Sequence, residues 1–308
     1  MSNLAFLFPG QGSQKVGMGL DLYTDSLTGK RRFEQANDIL EMNLSSLIFN
    51  GPESQLRQTK YTQPALYVVS FILGELLREE GVLPSLSAGH SLGEYSALAV
   101  AGALSFTEGL NLVKIRSESM MAAGKTRPGS MAAIIGLNQE TVEKICNVAR
   151  KNGIVQPANF NSPNQIVISG EVKGINQAVM LAEEAGARRV IKLNVSGAFH
   201  SSLMKPAKEK LLTALQKHII SEPDYPVVMN VTAQPTLDPV EIRNNLIDQL
   251  DHPVLWTATV ETLRDAGIMA MVEVGPGRVL QGLVRQIDRS METRGISTIS
   301  EIKERVHV

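Results

Sequence analysis

The sequence predicts an α/β protein in which a helix-covered parallel sheet is interrupted by a small inserted subdomain. Strands and helices alternate before residue 127 and again after residue 196, and this order is typical of a parallel sheet with helices on both faces. Between these parts the order changes to strand, helix, strand, strand, helix, strand. The predicted domains are therefore a large discontinuous domain, residues 1–126 and 197–308, and a small subdomain, residues 127–196.

The elements predicted before the insert are short strands and longer helices. Residues 4–8 are an apolar strand that ends at a turn containing Pro9, Gly10 and Gly12. Residues 62–79 have the apolar periodicity of an amphipathic helix. The other predicted elements in this part are a strand at 86–88 and helices at 92–101 and 107–123.

The insert has strands and helices in the order of a ferredoxin-like βαββαβ unit. Glycines and a proline at residues 124–129 fit a linker into it, and Ser196 with Gly197 fits a linker out. After it the first pattern returns, with a strand at 227–231, a helix at 240–250 and a strand at 269–274. Within the insert the predicted strands are 131–137, 155–159, 165–169 and 189–195, and the helices are 139–151 and 174–185.

A serine stands between two glycines where the strand at 86–88 should turn into the helix at 92–101. The run is Gly89, His90, Ser91, Leu92, Gly93. In such a GxSxG elbow the serine takes a strained backbone conformation that exposes its hydroxyl, and the glycines let strand and helix approach closely. The pattern predicts Ser91 as a nucleophile, although the same spacing also occurs in tight turns without chemistry.

A serine nucleophile needs a base, and histidine is the usual one. His90 adjoins the serine on the elbow, so its side chain should diverge from the hydroxyl. Simple structural roles account for His218, His252 and His307, which lie in a predicted helix at 208–220, at a helix end and in the polar tail. His200 instead follows the last strand of the insert, where the two domains should meet and where ligands often bind. Elimination therefore favours His200 as the base.

Acyl transfer also needs amide donors directed at the developing oxyanion. In elbow enzymes one donor is the amide that follows the nucleophile, here Leu92, and the other comes from a loop after a neighbouring strand. Gln11, between Gly10 and Gly12, lies in such a loop. An ordinary strand-ending turn explains this segment equally well.

Composition excludes several other functions. The formal net charge is -1, from 30 basic and 31 acidic residues, which gives no field suited to a nucleic acid. Cys146 is the only cysteine, so no disulfide framework and no metal site are expected, and its place on an apolar helix face predicts an inert thiol. No apolar run approaches the ~20 residues of a membrane span, and the start lacks the basic region of a signal peptide. We expect a cytoplasmic protein with no membrane or nucleic-acid partner.

Four motifs together resemble the malonyl-CoA:acyl carrier protein transacylases. They are FPGQGSQ at residues 8–14, GHSLGE at 89–94, GAFHS at 197–201 and EVGPG at 273–277. They occur in the family's order, and the resemblance runs from residue 4 to about 285, so it covers nearly the whole chain. It implies an α/β-hydrolase-like core carrying the ferredoxin-like subdomain, in a standalone enzyme of the bacterial type.

The resemblance also implies a mechanism. Ser91 would attack the thioester of malonyl-CoA with His200 as general base, while the amides of Gln11 and Leu92 hold the oxyanion. The malonyl group would then pass from the serine to the phosphopantetheine thiol of holo acyl carrier protein, a ping-pong cycle that needs no cofactor. The family steers the histidine by a backbone carbonyl, here that of Gln249. A monomer that supplies extender units for fatty acid synthesis is expected.

Two further residues gain a role only through the resemblance. On the predicted helix 107–123, pattern alone makes Arg116 a solvated surface residue. The resemblance implies instead that its planar guanidinium grips the malonyl carboxylate. Phe199 resembles the malonyl-selective version of its motif, because methylmalonyl-selective relatives tend to carry a serine there. Its ring would crowd an α-methyl branch, which is worth about one or two kcal/mol.

Two other functions fit part of this pattern. A serine hydrolase of the α/β-hydrolase type shares the elbow but uses water as second nucleophile and places an acid between serine and histidine in the chain. The insert before His200 and the glutamine loop near the start argue against it. A catalytically silent module that docks carrier proteins is disfavoured because Ser91 and His200 are both present. The carrier-protein surface stays open among Lys30, Arg31, Arg32, Arg188, Arg189 and Arg285.

Overall fold

The computed structural model describes residues 3–306, which form two separate sheets and the helices that cover them. Ten strands are found among these residues. They are β1 (Leu4–Phe8), β2 (Leu86–Gly89), β3 (Gly129–Ile135), β4 (Val155–Ser162), β5 (Gln165–Glu171), β6 (Arg189–Lys192), β7 (Val227–Val228), β8 (Pro235–Thr236), β9 (Ala270–Val274) and β10 (Glu292–Ile296).

The same residues contain fourteen α-helices. They are α1 (Leu20–Asp25), α2 (Leu27–Leu40), α3 (Leu44–Asn50), α4 (Glu53–Leu56), α5 (Thr59–Glu79), α6 (Gly93–Val100), α7 (Phe106–Thr126), α8 (Gln139–Ala149), α9 (Val172–Glu184), α10 (Lys205–Leu215), α11 (Pro239–Asp248), α12 (Trp256–Asp265), α13 (Val279–Ile287) and α14 (Ile299–Val306). None of the helices between residues 3 and 306 is long and apolar enough to cross a bilayer.

The larger sheet has six strands in the order β10-β9-β1-β2-β7-β8. Its neighbours pair in parallel except at the edge, where β8 runs antiparallel to β7. All five residues of β1 are buried, and this strand lies between β9 and β2, which leads into the elbow. The mostly parallel sheet predicted from the alternating elements is therefore confirmed.

Side chains of β1 point alternately to two hydrophobic cores, one on each face of this sheet. Phe6 and Phe8 join the larger core, which is filled largely by α5, α6 and α7. Ala5 and Leu7 join the smaller core with Trp256 and other apolar residues of α12 and α13. Because helices cover both faces of this sheet, its strands are buried on both sides, which explains why their sequences are short continuous apolar runs.

The smaller sheet is antiparallel throughout and has the strand order β4-β5-β3-β6. Helices α8 and α9 cover one face, where Ile134, Val142, Cys146 and Ile175 share a core. Burial raises the pKa of the Cys146 thiol to about 12, so this thiol is neutral and structural, as predicted. The other face packs on the larger unit, because Met131 of β3 belongs to the core shared with α5 and α7.

Several element boundaries differ from those that the sequence predicts. The strand predicted at 227–231 is only two residues long, because the chain turns back through a Met229–Gln234 hydrogen bond of 3.0 Å and pairs with β8. The helix predicted at 208–220 begins at Lys205 and ends at Leu215, since Pro206 lies in its first turn, where proline is favoured. The helices α1 to α4, α12, α13 and α14 and the strands β8 and β10 were not predicted.

Candidate active site

The turn between β2 and α6 has the strained geometry that the GxSxG pattern predicts. Ser91 has φ 51°, a left-handed backbone conformation that residues other than glycine rarely adopt. A Cβ on Gly89 would lie 1.9 Å from the carbonyl carbon of Gly93, and one on Gly93 would lie 2.0 Å from the carbonyl oxygen of Phe8. Both glycines are therefore required for the close packing of β1, β2 and α6.

The strained elbow is held by side chains from distant parts of the chain. The Ser91 amide donates to Asn230 Oδ1 at 2.7 Å, and Asn230 Nδ2 donates to the Gly89 carbonyl at 2.6 Å. Gln249 Nε2 donates to the Ser91 carbonyl at 2.9 Å. Sequence reasoning missed Asn230, although its place just beyond β7, the strand beside β2, is a usable signal.

Ser91, His200 and the Gln249 backbone form a connected chain of hydrogen bonds. Ser91 Oγ lies 2.8 Å from His200 Nε2, and His200 Nδ1 lies 2.7 Å from the Gln249 carbonyl oxygen. A carbonyl oxygen only accepts, so the imidazole proton stays on Nδ1 and leaves Nε2 to accept the serine proton. A side-chain carboxylate is not needed to orient this ring.

The environment of His200 keeps its imidazole neutral. The ring is only 3% exposed. Burial, followed by the positive charge of Arg116, lowers the pKa of His200 to about 3. At neutral pH the ring is therefore in the form that accepts a proton.

The other described histidines are engaged elsewhere. His90 Nε2 lies 2.8 Å from Asn161 Oδ1, as expected if its side chain diverges from the serine hydroxyl. His218 donates from Nδ1 to the Ala214 carbonyl, and His252 Nδ1 lies 2.9 Å from the Asp248 carbonyl. His307 lies outside the described residues. The geometry therefore agrees with the elimination that favoured His200.

Arg116 is fully buried beside the serine, so the surface location predicted from its helical pattern alone is wrong. Its Nη2 donates to Ser91 Oγ at 3.0 Å and to Gln249 Oε1 at 2.8 Å, and its Nη1 donates to Gln63 Oε1 at 2.7 Å. The Tyr95 ring lies under the guanidinium, 5.5 Å from its central carbon. Neutral acceptors and an aromatic face therefore surround a buried positive charge.

A cavity of about 170 Å³ opens over the serine hydroxyl. Gly10 lets the turn after β1 approach the elbow, since a Cβ there would lie 2.5 Å from the His90 carbonyl oxygen. The predicted site residues Gln11, Leu92 and Phe199 all line this cavity together with Ser91 and His200. The cavity is thus lined by residues that lie far apart in the sequence, from Gln11 to His200.

A larger groove of about 1190 Å³ lies elsewhere, between the two sheets. Arg188 and Arg285, two of the basic residues that the sequence left as candidates for the carrier-protein surface, line it together with Arg289. Its lining includes neither Ser91 nor His200, so its size does not make it the reaction site.

Within residues 3–306, Asp248, Asp251 and His252 form a group of metal-ligating side chains whose ligand atoms lie within 4.8 Å of one another. Lys208 Nζ already donates to Asp248 Oδ1 at 2.8 Å and to Asp251 Oδ1 at 2.9 Å. The lysine thus supplies the positive charge that these carboxylates attract.

The fold and the site together define a class of protein. A nucleophilic elbow at the end of a parallel strand, with a histidine on its serine, is the arrangement of serine-dependent acyl-transfer enzymes and hydrolases. Residues 5–304 match the family model described as an acyl transferase domain.

Relatives specify the family further. A malonyl CoA-acyl carrier protein transacylase of Bacillus subtilis (strain 168) is 46% identical over 298 residues, which are 96% of this chain and 94% of the relative. The solved malonyl-CoA:acyl carrier protein transacylase of Xanthomonas oryzae pv. oryzae has a TM-score of 0.95 and 40% identity, and the match covers 100% of this chain and 98% of that one.

A second solved structure contains a type II polyketide synthase acyl carrier protein in complex with its malonyl-transacylase. It matches with a TM-score of 0.95 and 40% identity over 99% of both chains. The chain belongs to the malonyl-CoA:acyl carrier protein transacylases, within the acyl transferase family.

Proposed function

We propose that this chain transfers the malonyl group of malonyl-CoA to the phosphopantetheine thiol of acyl carrier protein and so supplies extender units for fatty acid synthesis. The observation that carries the proposal is the environment of one hydroxyl: Ser91 Oγ lies 2.8 Å from a neutral imidazole and 3.0 Å from a buried guanidinium. The neutral imidazole suits a serine nucleophile, and the buried guanidinium suits an acyl group that ends in a carboxylate. The names of the relatives support the same reaction.

In the first half-reaction Ser91 Oγ attacks the thioester carbonyl carbon while His200 Nε2 takes the hydroxyl proton. The backbone amides of Gln11 and Leu92 donate to the oxyanion of the tetrahedral intermediate. The carbon–sulfur bond then breaks, and His200 gives its proton to the departing coenzyme A thiolate. The malonyl group remains as an ester on Ser91.

In the second half-reaction the phosphopantetheine thiol attacks the malonyl ester, and His200 accepts the thiol proton. The ester carbon–oxygen bond breaks, and the proton returns from His200 to Ser91 Oγ. The Gln249 carbonyl holds the imidazole in one orientation through both halves. The proposed cycle consumes no cofactor and uses residues of a single chain.

The proposed architecture is an α/β-hydrolase-like domain with a ferredoxin-like insert, divided at residues 1–126, 127–196 and 197–308. The element order and the strand order β4-β5-β3-β6 support the ferredoxin-like assignment. The two connections pass close together, because a Cβ on Gly124 would lie 2.1 Å from the Ser196 carbonyl oxygen. The cytoplasmic location and the monomeric state stay predictions from the sequence.

Acyl selectivity is proposed to come from two side chains that lie on different elements. Arg116 binds the free carboxylate of the malonyl group. Because Arg116 Nη2 contacts Ser91 Oγ, a malonyl group on that oxygen lies within reach of the guanidinium. Phe199 lines the cavity and is 6% exposed, so its ring crowds a substituent on the α-carbon. A methyl branch is disfavoured by about one or two kcal/mol in such a pocket.

Replacing Arg116 with alanine is expected to lower kcat/KM for malonyl-CoA by about a hundredfold, because a buried charge partner for the carboxylate is lost. Transfer of an acetyl group, which has no carboxylate, should be spared or improved. The comparison requires kcat/KM for both acyl-CoA substrates with each variant. Equal losses with malonyl and acetyl groups would rule out the carboxylate role.

The lowered pKa of His200 predicts an unusual pH profile. An ordinary histidine base, with a pKa near 6.5, is about nine-tenths protonated at pH 5.5 and would lose about tenfold in rate. Because the pKa of His200 is about 3, the rate of Ser91 modification by a neutral sulfonyl fluoride should stay constant from pH 8 to about pH 5. A tenfold decline centred near pH 6.5 would contradict a buried, neutral base.

The hydrolase alternative is tested by following labelled malonyl-CoA in the presence of holo acyl carrier protein. The proposal predicts that label appears on the carrier protein faster than as free malonate. Apo carrier protein, which lacks the thiol, is the matched control and should receive no label. Release of malonate at the same rate with and without the holo protein would favour hydrolysis and overturn the proposal.

A further inference from the structure

Glu94 is a buried carboxyl group that the proposed reaction does not use. It lies on α6, three residues after Ser91, and is fully buried. Its Oε1 accepts from the Asn230 amide at 2.5 Å, and its Oε2 accepts from Gln249 Nε2 at 2.5 Å. Both partners also bind the elbow directly, Asn230 at the Ser91 amide and Gln249 at the Ser91 carbonyl. Glu94 therefore supports the site without touching the reacting atoms.

The carboxylate determines which way the Gln249 side-chain amide points. A carboxylate only accepts hydrogen bonds, so the NH2 group of the amide must face it. The carbonyl oxygen of the same amide then faces Arg116 and accepts from its Nη2 at 2.8 Å. The acceptor character of Glu94 is thus relayed through Gln249 to the guanidinium.

The relay also separates two buried charges. Arg116 is held by two neutral amide oxygens, those of Gln63 and Gln249. Glu94 is one side chain farther away, so in its ionised form its charge favours the buried cation without occupying the guanidinium. Burial raises the pKa of Glu94 to about 7, while its two hydrogen-bond donors and the Arg116 charge favour the ionised form. The guanidinium is thereby oriented and remains available to a carboxylate of the substrate.

We propose that Glu94 is a positioning residue that sets the preference for a carboxylate-bearing acyl group by fixing, through the Gln249 amide, the orientation of Arg116. This inference rests on the proposed function, because it concerns the malonyl carboxylate. It differs from a general structural role in one measurable respect. Loss of Glu94 should change the ratio of malonyl to acetyl transfer, whereas a change in stability alone should lower both rates together.

The variant Glu94→Gln tests the relay because it keeps the shape of the side chain and one acceptor for the Asn230 amide. Its NH2 group, however, would face the NH2 group of Gln249. The clash is relieved when the Gln249 amide turns over, which directs its NH2 group at Arg116 and away from the Ser91 carbonyl. We expect kcat/KM for acyl-enzyme formation to fall about tenfold with malonyl-CoA, the usual effect of one lost buried hydrogen bond. With acetyl-CoA the fall should be about threefold or less.

Glu273→Gln is the matched control. Glu273 is also fully buried and accepts from the amides of Leu280 and Gln281 at the start of α13. None of its hydrogen bonds within residues 3–306 reaches Ser91 or Arg116. This variant should keep the wild-type ratio of malonyl to acetyl transfer even where its thermal stability is lower. A shift of the ratio in Glu273→Gln equal to that in Glu94→Gln would overturn the proposal.

A second variant keeps the test decisive if Glu94→Gln does not fold. Gln249→Met retains the backbone carbonyl that binds His200 but removes the side-chain contacts to Glu94, Arg116 and the Ser91 carbonyl. It should show the same greater loss with malonyl-CoA than with acetyl-CoA. Equal losses with both substrates in the folded variants would refute the relay. If wild-type protein forms no malonyl ester on Ser91, the failure is that of the proposed function, which the wild-type arm identifies separately.

Discussion

Replacing Ser91 with alanine is expected to lower malonyl transfer by at least about 10⁴-fold, because both half-reactions pass through an ester on its hydroxyl. No other hydroxyl can substitute, since Ser91 Oγ alone contacts both His200 and Arg116 within residues 3–306. The measurement is the rate at which holo acyl carrier protein becomes malonylated. The protein should remain folded, because the elbow is held by backbone contacts to Asn230 and Gln249.

Ser87→Ala is the matched control for this experiment. Ser87 is buried in β2, four residues before the nucleophile, and its hydroxyl has no hydrogen-bond partner in the described part of the chain. Transfer by Ser87→Ala should stay within about threefold of wild type, as for a substitution away from the reaction. Residual transfer by Ser91→Ala at a tenth of the wild-type rate would show that the malonyl group travels by another route.

Replacing His200 with alanine is expected to slow both acylation of Ser91 and its discharge by about 10²- to 10⁴-fold, the usual contribution of a general base. The two steps are measured separately, as formation of malonyl-enzyme and as its loss to holo acyl carrier protein. Free imidazole should restore part of the rate, because the truncation leaves space beside Ser91 Oγ in a cavity of about 170 Å³.

His218→Gln provides the comparison for His200→Ala. His218 lies just beyond the end of α10, and its ring donates to the carbonyl of Ala214 in the last turn of that helix. Its variant should transfer malonyl groups at the wild-type rate and should not respond to imidazole. A His200→Ala protein that discharges its malonyl ester as fast as wild type would remove the histidine from the second half-reaction.

The elbow and the small sheet are predictable from sequence for local reasons. At Gly89 and Gly93 neighbouring backbone atoms leave no room for a Cβ. Only glycine fits at these two positions, so the sequence itself indicates the close packing. The small sheet is predictable because its apolar strands and the amphipathic helices beside them are separated by turn residues. The helices α1, α3 and α4 were missed because they are short, and α2 because its sequence is mostly polar. Helices α2, α3 and α4 contact α5, and α1 contacts α2.

The environment of Arg116 is not predictable from its own helix. Its acceptors Gln63 and Gln249 lie 53 and 133 residues away in sequence, and only the fold brings them together. Asn230 and Glu94 likewise depend on contacts over 136 residues or more. Family resemblance supplied the proposed role of Arg116, whereas the polar network that keeps its charge buried is visible only in three dimensions.

The central claim is that Ser91 carries the malonyl group between two thiols, and mass spectrometry of the protein after brief exposure to malonyl-CoA tests it most directly. We predict one malonyl adduct, mapped to the peptide that contains Ser91, which disappears when holo acyl carrier protein is added and persists with the apo form. An unmodified Ser91, or an adduct on a different residue that the carrier protein discharges, would contradict the account.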